Sequence, residues 1–153
     1  MPDTPRRRGT SRRVVLLGGL AALSVASVAC SPDDARVVGH ALDGALRTSR
    51  TMIARYDAVL AVTDGGQREL LEVLRADHEA HASALALRIG VGASLITAAP
   101  FDGEPTVKEL RKAESAAKKE AVDQCVASEE PQAVRLLASI AASRATHREL
   151  LDG

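Results

Sequence analysis

Val38, Leu42, Ala45, Ser49, Met52, Tyr56 and Val59 recur at alternating spacings of four and three. An α-helix turns once in 3.6 residues, so this register stacks all of them on one face and builds a stripe about 30 residues long that must be buried against something. The rest of the chain supplies helices to meet it. One Tyr, one Phe and no Trp accompany an abundance of Ala and Leu, a mixture that suits close-packed helices and starves a sheet of the β-branched and aromatic side chains it prefers.

Four segments follow from the pattern. Ser31-Pro32-Asp33-Asp34 opens the first with a capping hydroxyl, a proline at the first helical position and acids facing the positive helix end, and Asp64-Gly65-Gly66 closes it. A second helix is expected from about Gln67 to Arg88, with Leu71, Leu74, His78, His81 and Leu85 on one seam. Pro105 opens a third, whose inward positions are Val107, Leu110, Glu114, Ala117, Ala121 and Cys125. Pro131 opens a fourth, with Val134, Leu137, Ala141, Arg144 and Leu151 on one edge and Leu136, Ile140, His147 and Leu150 on the other. Four amphipathic segments and no strand signal predict an all-α fold, a four-helix bundle. Between the second and third, Gly90 to Pro105 lacks periodicity and carries three glycines and two prolines. A connection of about 15 residues is long for a compact domain. Extended, it reaches around 50 Å against about 33 Å for a 22-residue helix, enough to cross the bundle and let those two helices run parallel.

Residues 1–29 stand apart from this body as a cleavable leader, leaving 30–153 as the bundle domain. A basic stretch precedes the apolar run Val14 to Ala29, which ends in small residues. At 16 residues, diluted by Gly18, Gly19 and serines, the run is shorter than the roughly 20 needed for a comfortable span. Ser11-Arg12-Arg13-Val14-Val15-Leu16 resembles the twin-arginine export motif, with Arg12 and Arg13 as its pair. Ser27-Val28-Ala29-Cys30 resembles a lipobox with Ser27 in place of the usual Leu, which makes Cys30 the expected site of diacylglyceryl attachment. Clustered arginines stay on the cytoplasmic side, so the body is expected at the outer face of the cytoplasmic membrane, anchored by lipid. A lipid on the Cys30 sulfur also excludes its pairing with Cys125.

The formal net charge of zero conceals an asymmetry. The leader holds five arginines against one acid, which leaves 15 bases and 19 acids, a net of −4, in the remainder. An acidic body disfavours a nucleic-acid partner, which selects a basic face.

The segments Ala54-Arg55-Tyr56-Asp57-Ala58, Leu74-Arg75-Ala76-Asp77-His78-Glu79-Ala80-His81, Ala113-Glu114 and Val134 to Ala142 through His147 resemble a group of small secreted or lipid-anchored actinobacterial proteins with ferritin-like four-helix folds and mostly unassigned activity. The resemblance implies a ferritin-like bundle. Ferritin-like di-iron enzymes take a Glu from each of two helices and a Glu-x-x-His pair from each of the others. No Glu-x-x-His occurs anywhere in this chain, and Tyr56 and Asp57 stand where a ligand glutamate would be expected.

One constellation carries chemistry: His78, His81, Glu114 and His147, joined by Asp77. His78 and His81 share a face of the second helix, while Glu114 and His147 fall on inward positions of the third and fourth. Imidazole and carboxylate together suit Zn or another first-row divalent ion. The same groups also suit a buried polar layer, in which Arg144 or Arg75 flanks the carboxylate and Tyr56 bonds to it, fixing register in an otherwise uniform Ala/Leu bundle. No nucleophile elbow or ordered triad is present, and no catalytic residue is assigned. Two functions are expected: a lipid-tethered, non-enzymatic module that docks an envelope protein or supports an assembly, or a metal-binding ferritin-like protein built on the His/Glu cluster.

Overall fold

A computed structural model describes residues 32–92 and 100–153, with side chains from Leu42 onward. Four helices account for almost all of it: α1 Pro32–Leu60, α2 Gly65–Ile89, α3 Val107–Ala127 and α4 Pro131–Leu150. Among the described residues there is no strand, and no helix is long and apolar enough to cross a membrane. Arg12, Arg13 and Cys30, with the whole leader, lie outside the described residues, as does the side chain of Val38.

The helix ends follow local chemistry. Thr106 caps α3, its hydroxyl accepting from the Glu109 N–H at 3.2 Å. This places the cap one residue after Pro105, because a hydroxyl satisfies a free N–H and proline supplies none. The carboxylate of Glu130 accepts from the N–H groups of Gln132 and Ala133, and Pro131 takes the first turn of α4, where its missing donor costs nothing. Gly90, at φ +75°, ends α2 in the left-handed conformation and lets its own N–H and that of Val91 return to carbonyls of the last turn.

Pairings between helices set the directions. Along α1, Thr48 donates to Glu120 at 2.8 Å and Tyr56 to Glu114 at 2.7 Å, so α3 descends as α1 ascends. Tyr56 stacks at a tilt on His78 while Arg68 donates to the Leu60 carbonyl, so α2 also runs against α1. The helices α2 and α3 are therefore parallel. Against α3, the helix α4 is antiparallel, with the Cys125 thiol on the Val134 carbonyl at one end and Arg111 paired with Asp152 at the other. Two helical hairpins, α1–α2 and α3–α4, are joined by a single long connection whose ends lie at opposite ends of the bundle. Its 17 residues, 90–106, have the reach for this, since the 25-residue α2 is about 37 Å long. Where the connection approaches α3, Phe101 lies under the Arg55 guanidinium, 4.6 Å from its ring centre, an attraction between cation and π-face.

The core has two apolar halves. One gathers Leu42, Leu46, Ile53, Leu85, Leu137 and Ile140 with buried alanines; the other gathers Met52, Tyr56, Val59, Leu71, Leu74 and Leu110. Between them lie the buried polar residues Ser49, His78, Glu114, Arg144 and His147. The expected seams need adjustment on α2, α3 and α4. On α2, Ala82 is fully buried where His81 was expected, and His81 is half-buried. A residue four positions after His78 lies about 40° from it around the helix and one three positions after lies about 60° away on the other side, so the burial of Ala86 pulls the seam towards Ala82. Val107 and Cys125 are half-buried at the two ends of α3, and Leu150 is exposed at the last residue of α4.

Leu137, fully buried in the first half, is expected to cost about 2–5 kcal/mol when replaced by Ala. Leu87, which is 84 % exposed, is expected to change stability by no more than about 0.5 kcal/mol. Urea denaturation of the two variants checks this, and equal midpoints would contradict the assigned core.

Candidate functional site

The polar layer is organised around one oxygen atom. Oε1 of Glu114, fully buried on α3, accepts from the Tyr56 hydroxyl of α1 at 2.7 Å, lies 2.7 Å from His78 Nε2 of α2, and lies 3.2 Å from His147 Nδ1 of α4. Each helix thus contributes one group. The helical register makes this convergence possible: His78 continues the Leu71–Leu74 seam, Glu114 continues Leu110, and His147 lies one turn beyond the Ile140–Arg144 face.

Proton placement follows from the partners. A carboxylate only accepts, so His78 donates through Nε2–H, and its Nδ1 is buried with no hydrogen-bond partner. His147 has carboxylates on both sides, with Nδ1 towards Glu114 and Nε2 3.1 Å from Asp77 Oδ2. Nε2 also lies 3.0 Å from the Ser143 hydroxyl, one turn earlier on α4. Glu114 Oε2 and His81 Nδ1 are likewise buried without partners. The rings of His78, His81 and His147 form a cluster, with centroids 5.1 Å apart for His78–His147, 5.8 Å for His78–His81 and 6.4 Å for His81–His147.

The electrostatics are those of a buried anion with cationic neighbours. Burial opposes ionisation of Glu114, but the bonds from His147 and His78 outweigh it and bring its pKa down to about 2. Burial lowers His78 below the ordinary imidazole value, so it stays neutral. Burial, reinforced by His78, lowers His81 to about 4. For His147 burial again works against the charge, but hydrogen bonds and attraction from Glu114 and Asp77 prevail and raise it. Tyr56 is pushed well above the ordinary phenol value by burial and by the Glu114 charge.

Arg144 is entirely buried and balances the layer. Its guanidinium donates to the Ala117 carbonyl at 2.9 Å and to the Ser49 hydroxyl at 3.0 Å, so it does not bond to Glu114 as the sequence suggested. Arg75 does not either: it pairs with Asp57 and Glu79 at the surface. Of the expected residues, His78, Glu114 and His147 come together. Their ligand-type atoms all lie within 4.8 Å of one another. His81 borders this group through its ring, and Asp77 touches it from the half-exposed edge through His147. Tyr56 takes the bonding role expected of it. Ser49 and Ser143 were missed. A small hydroxyl in an apolar stripe is the one sequence signal for Ser49, and the spacing of four to His147 is the one for Ser143.

Comparison with protein-family models, curated proteins and solved structures finds no match to the chain.

The signs of these shifts fix a pH dependence. Between the ordinary imidazole value of 6.5 and about 4, the unfolded chain takes up a proton that folded His81 refuses, so stability falls as pH falls through this window. His147 works in the opposite sense: its raised pKa gives a contribution fully present below 6.5 and lost as pH rises through the folded value. The contribution of Glu114, present above 4.5, is lost as pH falls towards about 2. Replacing His81 by Gln should therefore flatten the decline of Tm between pH 6.5 and 4. Thermal melts across that range check it, and an unchanged slope would contradict the assignment.

Proposed function

We propose that this chain is an exported lipoprotein whose ferritin-like bundle binds a divalent transition-metal ion through His78, Glu114 and His147. One observation carries the reading: an imidazole, a carboxylate oxygen and a second imidazole from three different helices converge within 4.8 Å, fully buried. A tetrahedral ion with bonds of about 2.0–2.2 Å holds its ligands about 3.4 Å apart; His78 Nε2 and His147 Nδ1 lie 2.7 and 3.2 Å from Glu114 Oε1, so an ion enters with a small outward shift of these side chains. A layer serving only to fix register would be expected to satisfy both carboxylate oxygens, yet Glu114 Oε2 has no partner and three donors crowd Oε1.

A second feature agrees with it. His147 presents Nδ1 inward and turns Nε2 to Asp77. Metal-binding imidazoles are commonly oriented by a carboxylate on their other nitrogen in this way. The single long connection between two hairpins supports a ferritin-like reading of the bundle. The residues do not fit a ferritin-like di-iron centre, because Glu114 is the one buried carboxylate among the described residues. A mononuclear site fits the groups present. The arginine pair Arg12-Arg13 supports export by a route that carries folded proteins, and Cys30 supports lipid attachment at the outer membrane face.

The mature protein purified from membranes in detergent is expected to carry about one metal ion per chain. Zinc at a hundredfold excess over Kd should add about 2.7 kcal/mol of stability. Glu114→Gln together with His147→Ala should abolish both effects. Absence of metal, with melting unchanged by Zn, Mn or Fe, would remove the proposal and favour the docking module. Cys30→Ser should release the protein from the membrane fraction, and undiminished membrane retention would contradict the lipid anchor.

A further inference from the structure

The three groups assigned above come from α2, α3 and α4, and the fourth wall of the same point belongs to α1. There Tyr56, the chain's one tyrosine, is fully buried. Its hydroxyl oxygen lies 2.7 Å from Glu114 Oε1, the same oxygen that lies 2.7 Å from His78 Nε2 and 3.2 Å from His147 Nδ1. Its ring packs against His78 with centroids 5.3 Å apart. A phenol oxygen therefore faces the point an ion would share with the other three. We infer that Tyr56 is a fourth ligand and that it admits a ferric ion to a site where divalent ions use only His78, Glu114 and His147. The inference rests on the metal-binding reading above.

Charge decides between the two modes. A divalent ion on one carboxylate and two neutral imidazoles leaves a net +1 in the core. A ferric ion on the same three ligands would leave +2, in a layer that already buries the Arg144 guanidinium, and uncompensated buried charge is costly. Ligation by phenolate restores +1. The step is a proton displacement: His78 shifts its proton from Nε2 to the unpartnered Nδ1, the Nδ1 proton of His147 is displaced, the Tyr56 O–H bond breaks as an O–Fe bond forms, and the displaced protons leave to the buffer without any change of oxidation state. A trivalent ion is a much stronger Lewis acid than zinc and binds hard anionic oxygen preferentially. Displacing the proton of a buried phenol is thus within reach of Fe(III), whereas Zn(II) leaves the hydroxyl bonded to Glu114.

The test uses the full chain in detergent, with ferric nitrilotriacetate and zinc chloride as separate probes. The wild type should develop a visible phenolate-to-iron charge-transfer band that saturates at one ion per chain. Tyr56→Phe keeps the ring in the core and should lose the band, with ferric affinity reduced about tenfold or more and by a larger factor than zinc affinity. Resonance Raman of the ferric wild type gives an independent reading, because tyrosinate modes should be enhanced on excitation in the band whether or not the variant folds. Ferric uptake without the band, or a band that survives in Tyr56→Phe, overturns this inference and leaves the divalent site standing. Failure of both ions to bind overturns this inference and the reading on which it rests.

Discussion

The Glu114 carboxylate holds the four helices in one register. A buried carboxylate without partners is among the costliest groups a core can contain, and here its Oε1 is met from α1, α2 and α4 at once. Sliding α3 by one turn, about 5.4 Å, would strand the charge, and sliding any other helix would take away one of its three partners. The apolar halves on either side consist mainly of Leu, Ile, Val, Met and Ala, side chains that fit many registers with little difference in energy. Hydrophobic burial therefore supplies most of the folding energy, and the polar layer selects which bundle forms.

Arg144 and Asp77 complete this arrangement without touching the central oxygen. Arg144 places a guanidinium in the layer, held by a main-chain carbonyl of α3 and a hydroxyl of α1. Asp77 holds His147 from the solvent side. Glu114 and the Arg144 guanidinium place opposite charges in one buried layer. The three histidines titrate in different directions for this reason: burial outweighs the pull of Glu114 at His78 and is reinforced by His78 at His81, whereas at His147 the attraction of Glu114 and Asp77 prevails over burial.

Much of this was legible in the residue pattern. The spacing from Leu42 to Val59, the proline at 131 and the glycines at 65 and 90 mark helix limits by local chemistry alone, and the structure follows them within a few residues. His78, Glu114 and His147 were recognisable as polar residues on apolar seams. The fate of Arg144 was not, because its partners are a carbonyl 27 residues away and a serine 95 residues away, and a main-chain acceptor leaves no mark in a sequence. The exchange of His81 for Ala82 at the seam arose because positions three and four residues on flank the same line, and packing against neighbouring helices chooses between them. The length of segment 90–106 permitted parallel α2 and α3 without requiring it; the pairings of α1 with both helices decide the matter.

The central claim is that the point shared by His78, Glu114 and His147 is an ion site in addition to a hydrogen-bonded layer. A crystal structure of the full-length protein grown with zinc, with data on both sides of the zinc absorption edge, addresses it most directly. The account predicts one anomalous peak inside the bundle, about 2.0–2.2 Å from His78 Nε2, His147 Nδ1 and a Glu114 oxygen. An empty interior, with the Tyr56 and imidazole hydrogen bonds to Glu114 intact and zinc bound only at the surface, would contradict it.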